Sequence, residues 1–115
     1  MLNIHEFKLP KQEILRKSHI ETVLKHGKRW EGNHIKCYYL KADDRKICFA
    51  VPKRVGKAVF RNRLKRLQRE VYRHYRNRVG KFWILLIAKP ANPSIKRNDL
   101  EIDFCHFIEQ TGLVL

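Results

Sequence analysis

Phe60-Arg61-Asn62-Arg63-Leu64-Lys65-Arg66-Leu67-Gln68-Arg69-Glu70-Val71-Tyr72-Arg73-His74-Tyr75-Arg76 is the stretch from which the fold can be worked out. Wound at about 3.6 residues per turn, it places Phe60, Leu64, Leu67, Val71 and Tyr75 on one side. Opposite them, Asn62, Lys65, Arg66, Arg69, Arg73 and Arg76 fall within an arc of about 100°. The pattern predicts a helix from about Val59 to Arg76, with its apolar stripe on a sheet and a row of cations turned outward. A merely solvated face mixes signs and gains i,i+4 ion pairs. Here Glu70 stands outside the cationic arc, so like charges on neighbouring turns repel. A polyanion relieves that repulsion, and guanidinium forks match phosphate oxygens bidentately. Upstream, Lys53, Arg54 and Lys57 extend the positive surface into the loop before the helix.

Working outward, Ile35 to Leu40 alternates as a strand, with Ile35, Cys37 and Tyr39 on one face and Lys36, Tyr38 and Leu40 on the other. Lys41 to Arg45 is a polar turn. Ile47, Phe49 and Val51 alternate again, which predicts a second strand antiparallel to the first, ending near Pro52 because proline cannot donate to a ladder. Val55-Gly56-Lys57 is a loop. After the long helix, Phe82 to Ala88 reads as a strand mostly buried on both faces, and Pro90 and Pro93 punctuate a loop. A last helix from about Lys96 to Gln110 buries Leu100, Phe104, Phe107 and Ile108. Before all of these, Phe7-Lys8-Leu9-Pro10 looks extended. Ser18-His19-Ile20-Glu21 reads as a capping box opening a first helix, with Ile20, Val23 and Leu24 as its apolar stripe and Gly27 as its end. The sum is an α+β fold: a two-layer α/β sandwich, with three helices on a small, mostly antiparallel sheet of three to four strands.

The 115 residues suffice for a single domain, residues 1–115, with an apolar fraction of 43% that no disordered basic tail carries. Lysine and arginine total 26 against 11 acids, a net charge of +15. Nucleic acid is the first partner such a domain suggests, and an acidic membrane surface the second. No segment approaches the ~20 apolar residues of a membrane span. No basic start followed by an apolar stretch marks a signal peptide. Cys37, Cys48 and Cys105 are odd in number and widely spaced, which fits a reducing, cytoplasmic setting better than a disulfide scaffold.

The run Lys53-Arg54-Val55-Gly56-Lys57-Ala58-Val59-Phe60-Arg61-Asn62-Arg63-Leu64-Lys65-Arg66-Leu67-Gln68-Arg69-Glu70 closely resembles the signature of the bacterial ribonuclease P protein subunit. Leu9-Pro10, Leu15-Arg16-Lys17, Gly27-Lys28-Arg29 and Ile84 to Pro90 extend the resemblance over most of the chain. It implies the element order αβββαβα with a left-handed crossover, against the right-handed norm. It implies a ribonucleoprotein that removes the 5′ leader of precursor tRNA. An RNA subunit would be the catalyst there, magnesium would be held mainly by that RNA, and the protein would be inactive alone. Arg61, Asn62, Arg63, Lys65, Arg66 and Arg69 match the family's RNA-contacting helix. Lys53 and Arg54 match in charge, although Pro52 stands where the family usually has serine. A cleft between the first helix and the sheet would hold the leader, with Ile20 and Leu24 in place of two usual aromatics, and Tyr38 and Lys36 on the facing strand.

A protein-only nuclease would want clustered carboxylates around magnesium. Asp43-Asp44 reads as a turn, and Asp99, Glu101 and Asp103 as residues favoured early in a helix. The six histidines have no motif around them, no cysteine spacing suits zinc, and Gly56-Lys57 lacks the rest of a phosphate loop. No metal site in the protein, no membrane and no obligate protein partner are therefore expected. A general basic RNA-binding or ribosome-associated protein is the alternative on composition alone.

Overall fold

The computed structural model describes residues 10–114. The elements are α1 (Lys17–His26), β1 (Lys28–Glu31), β2 (Ile35–Lys41), β3 (Lys46–Ala50), α2 (Ala58–Tyr75), β4 (Phe82–Ala88) and α3 (Arg97–Gln110). Short 3-10 turns at Lys11–Glu13, Lys53–Val55 and Arg76–Arg78 punctuate them. The extended start expected around Phe7 lies outside the described residues as far as Leu9; from Lys11 the chain is a turn.

The four-stranded sheet has the order β1-β2-β4-β3. β1 and β2 pair antiparallel, as do β2 and β4, whereas β3 runs parallel to β4. The expected β2–β3 hairpin is thus corrected: the two strands run oppositely, but β4 lies between them. Phe82 to Ala88 is the most apolar strand and gains most from neighbours on both edges. The connection over Lys41 to Arg45 is not a tight two-residue turn and does not force a hairpin. β1 escaped assignment to particular residues because Lys-Arg-Trp-Glu offers only Trp30 to the core.

Alternation along the strands builds two apolar clusters. Ile35, Cys37, Ile47, Phe49, Ile84 and Leu86 face α2 and α3, with Leu64, Leu67, Val71, Leu100, Phe104 and Phe107 against them. This is the sandwich. On the other face, Leu85 packs with Leu15 and Val23, flanked by Ile20, Tyr38, Leu40, Cys48, Trp83 and Ile87. There α1 crosses only part of the sheet. The buried side of α2 is wider than the predicted stripe, because Gln68 and Tyr72 are also inside. Cys37 and Cys48, expected on paired strands, sit on opposite faces of the sheet, beside Leu86 and Leu85 of β4.

Local chemistry fixes the element ends. α1 begins before Ser18, and the backbone N–H of Arg16 donates to His19 Nδ1 at 3.2 Å. Ser18 is already inside the helix, its carbonyl accepting from the Thr22 hydroxyl. Gly27 does end α1, but with an extended backbone at φ −81° rather than a left-handed one. Its glycine requirement is spatial, since a Cβ would stand 2.4 Å from the Val23 carbonyl oxygen and 2.7 Å from that of Tyr39. Asp103, buried on α3, accepts from the backbone N–H groups of His34 at 2.6 Å and Ile35 at 3.2 Å. It ties the β1–β2 turn to the helix layer.

Candidate nucleic-acid interface

The cationic surface starts where β3 stops. Val55 is buried and anchors the turn after Pro52, which leaves Lys53 and Arg54 exposed. Gly56 has φ 157°, and a Cβ there would meet the Phe60 ring at 3.0 Å, so glycine lets the chain fold tightly into α2. Lys57 precedes a first helical turn with no acid and no side-chain cap, so that end of the helix dipole stays positive. From Arg45 to Arg69 the chain holds ten cations and no acid.

The matched residues of α2 divide into two groups. Arg61 Nε donates to the Gly56 carbonyl at 3.0 Å, closing the loop before the helix. Arg63 donates to the carbonyls of Ile95 at 2.6 Å and Pro93 at 3.3 Å, holding the loop before α3. Asn62, Arg66, Arg69 and Arg73 are exposed, and Lys65 is half-buried with its charge acting on the Cys48 thiol of β3. Arg66 lies 3.8 Å from Glu70, with both side chains well exposed, a pair of little energetic consequence.

Arg76 departs from the predicted arc. It lies just past α2, and its guanidinium donates to both carboxylate oxygens of Glu13. Arg45 Nε donates to the same carboxylate at 3.2 Å, and Arg45 also donates to the Arg76 carbonyl at 2.8 Å. Burial pushes the Glu13 carboxyl up, but hydrogen bonding from Arg76 and the charges of Arg45 and Arg76 outweigh this and hold it below its usual range. Arg76 is therefore part of a clasp between the N-terminal segment and the end of α2.

The second surface is the part of the sheet left open by α1. Along β2, Tyr38 and Lys36 point to this face; Arg29 and Leu85 flank Tyr38, and Glu31 and Ile87 flank Lys36. Lys36 Nζ stands 5.8 Å from the Tyr38 ring centroid, a cation–π contact at the surface. From α1, Ile20 is half-buried and Leu24 is 49% exposed, an apolar rim over this floor. The structure thus brings Ile20 and Tyr38 into one cluster, to which Ile87 and Ala50 belong as well. A strand mostly buried on both faces does not single out Ile87, although its Trp83, Leu85, Ile87 alternation marks this face. On α1's other flank, His19 packs against Trp83 at 4.7 Å, and Trp83 Nε1 donates to Asp44 at 2.7 Å.

Several carboxylates are taken up by fold contacts. Asp103 receives two backbone N–H groups, Asp99 caps Lys96 at 2.9 Å, and Glu101 receives the Tyr75 hydroxyl at 2.5 Å. Glu31 pairs with Arg29 and Lys89. Among the described residues no three His, Cys, Asp or Glu side chains are grouped to hold a metal. The cysteines are free, and burial raises the Cys37 thiol well above its ordinary range. Among the described residues no helix is long and apolar enough to cross a membrane.

Comparison with known proteins bears on the family and the fold. The family model described as Ribonuclease P matches residues 9–112. The ribonuclease P protein component of Dictyoglomus thermophilum is 39% identical over 102 residues, which covers 85% of this chain and 81% of that one. A Staphylococcus aureus RNase P protein mutant with defective mRNA degradation activity superposes at TM-score 0.81, with 21% identity over 91% of this chain and 92% of its own. The RNase P protein from Thermotoga maritima gives TM-score 0.74 and 23% identity over 85% of this chain and 96% of its own. At these identities the two structures speak for the fold.

Proposed function

Because the chain belongs to the ribonuclease P protein family, we propose that it serves as the RNA-binding subunit of the enzyme, assisting an RNA catalyst that removes the 5′ leader of precursor tRNA. The observation that carries this reading is the acid-free segment from Arg45 to Arg69, which folds so that Asn62, Arg66 and Arg69 are exposed on α2 with Lys65 half-buried toward β3 beside them. Together with Lys53, Arg54, Lys57 and Arg73 they form a surface suited to phosphates of the catalytic RNA. Arg61 and Arg63 support it by fixing the loops at either side. The groove of Ile20, Leu24, Lys36 and Tyr38 takes the single-stranded leader, with Tyr38 as stacking platform and Lys36 as phosphate partner. Ile20 and Leu24 offer apolar contact only. Magnesium belongs mainly to the RNA, and Glu13, Glu31, Asp44, Asp99, Glu101 and Asp103 are engaged in fold contacts. The chain acts in the cytoplasm, where precursor tRNA is made, and needs no protein partner.

Reconstitution tests the reading. With a bacterial ribonuclease P RNA at limiting magnesium, the protein is expected to raise the rate of leader removal, and to cleave nothing by itself. Absence of enhancement with any such RNA, the one from its own genome included, would overturn the assignment. Tyr38→Ala should weaken precursor tRNA binding to the reconstituted enzyme by roughly 1–3 kcal/mol, the range of one base–aromatic stack. Mature tRNA, which lacks the leader, should bind as before; equal losses for both would remove Tyr38 from the groove's work.

A further inference from the structure

Val59, in the first turn of α2, contributes almost no buried surface to the fold. It is 84% exposed, whereas the other exposed large apolar residues among those described range from 37% for Ile14 to 49% for Leu24 and Ile102. Single exposed apolar residues are ordinary on protein surfaces, but the surroundings of this one are not. Lys57 precedes it by two residues; Asn62 and Arg63 lie one helical turn on, and Arg66 two turns on. No acid occurs between Arg45 and Arg69 to make the neighbourhood inviting to a basic or neutral protein surface. The neighbouring Phe60, by contrast, is half-buried against the core and over Gly56. Val59 is also β-branched, a type less favourable in a helix than alanine.

We propose that Val59 is an RNA-contacting residue, seating its isopropyl group against the apolar face of an unstacked nucleobase while the surrounding cations hold the adjoining phosphates. The inference rests on the functional reading above and adds a contact of a different kind to it. Phosphate contacts release counterions and depend steeply on salt; an apolar contact does not. RNA presents such faces in loops and bulges, where bases are splayed from the helix. Charge complementarity selects RNA over an apolar protein partner, because a partner for this patch must tolerate Lys57, Arg63 and Arg66 at its rim.

The test is binding of full-length Val59→Ala and Val59→Thr to a bacterial ribonuclease P RNA across a potassium chloride series, beside Arg66→Ala. Both Val59 variants are expected to bind about three- to tenfold more weakly at every salt concentration, as fits the loss of one or two partly buried methyl groups. Their plots of log affinity against log salt should run parallel to that of the parent. Arg66→Ala should instead flatten the slope. Unchanged affinity of both Val59 variants, with Arg66→Ala impaired, would overturn the inference and leave the functional reading standing. Failure of the parent protein to bind the RNA would overturn both.

Discussion

Replacing Lys65, Arg66 and Arg69 together by alanine is expected to weaken binding of ribonuclease P RNA by about two orders of magnitude near physiological salt. Arg66 and Arg69 are exposed, Arg66 making the weak pair with Glu70, and Lys65 is half-buried with its charge near Cys48 of β3. Each lost phosphate contact removes roughly 0.7–0.9 from the slope of log affinity against log salt, so the triple variant should lose about 2. Thermal stability should hold or rise slightly, since like charges one turn apart are removed. Binding isotherms from low to moderate salt check this directly. A triple variant with the parent's slope would place the RNA elsewhere on the protein.

Glu13→Ala should produce the largest loss of stability, roughly 2–3 kcal/mol, or about 10 °C in the thermal midpoint. The carboxylate is buried between Arg45 and Arg76, and its removal leaves two partly buried guanidiniums facing each other. Their partial exposure keeps the cost below that of a fully buried pair. The pH dependence follows from the same contacts. The folded-state carboxyl titrates below its ordinary value of 4.5, so the native state binds its proton more weakly than the unfolded chain. The stabilisation is fully present above that value and is lost as pH falls through the folded value. The stability gap between parent and Glu13→Ala should therefore narrow on acidification below about pH 4.5 and stay constant from there to neutrality. Thermal melts at a series of pH values measure it; a gap independent of acidification would mean that Glu13 does not act through its charge.

Helices and strands with strong periodicity were legible in the sequence. Phe82 to Ala88 and the burial of Leu100, Phe104, Phe107 and Ile108 stand where hydrophobic patterning put them. Strand neighbours were not legible, because alternation reports which face a residue takes and says nothing about which strand lies alongside. Hence β3 beside β4 instead of β2. The start of α1 was misplaced because Ser18 and Glu21 imitate a capping box, while the residue that receives the Arg16 N–H is His19. At the candidate interface, the wheel projection found the outward residues of α2 but could not see that Arg61, Arg63 and Arg76 reach main-chain carbonyls or Glu13. Those partners are remote in sequence or lie at loop ends, and a helical projection holds no information about either.

The two faces of the sheet carry the two surfaces separately. The cations of α2 point outward from the layer on one face, and Tyr38 and Lys36 open on the other, beside α1. Packed core lies between them, but at the β3 edge the charge of Lys65 on α2 reaches the Cys48 thiol on the groove face, so the distance between the two surfaces is short along that edge. The distance is set by close-packed side chains that compress little. On the proposed reading the protein would act as a gauge block: with α2 seated on the catalytic RNA, the groove would present the leader at a fixed offset, and core substitutions that thin the sandwich would shift where the leader is held.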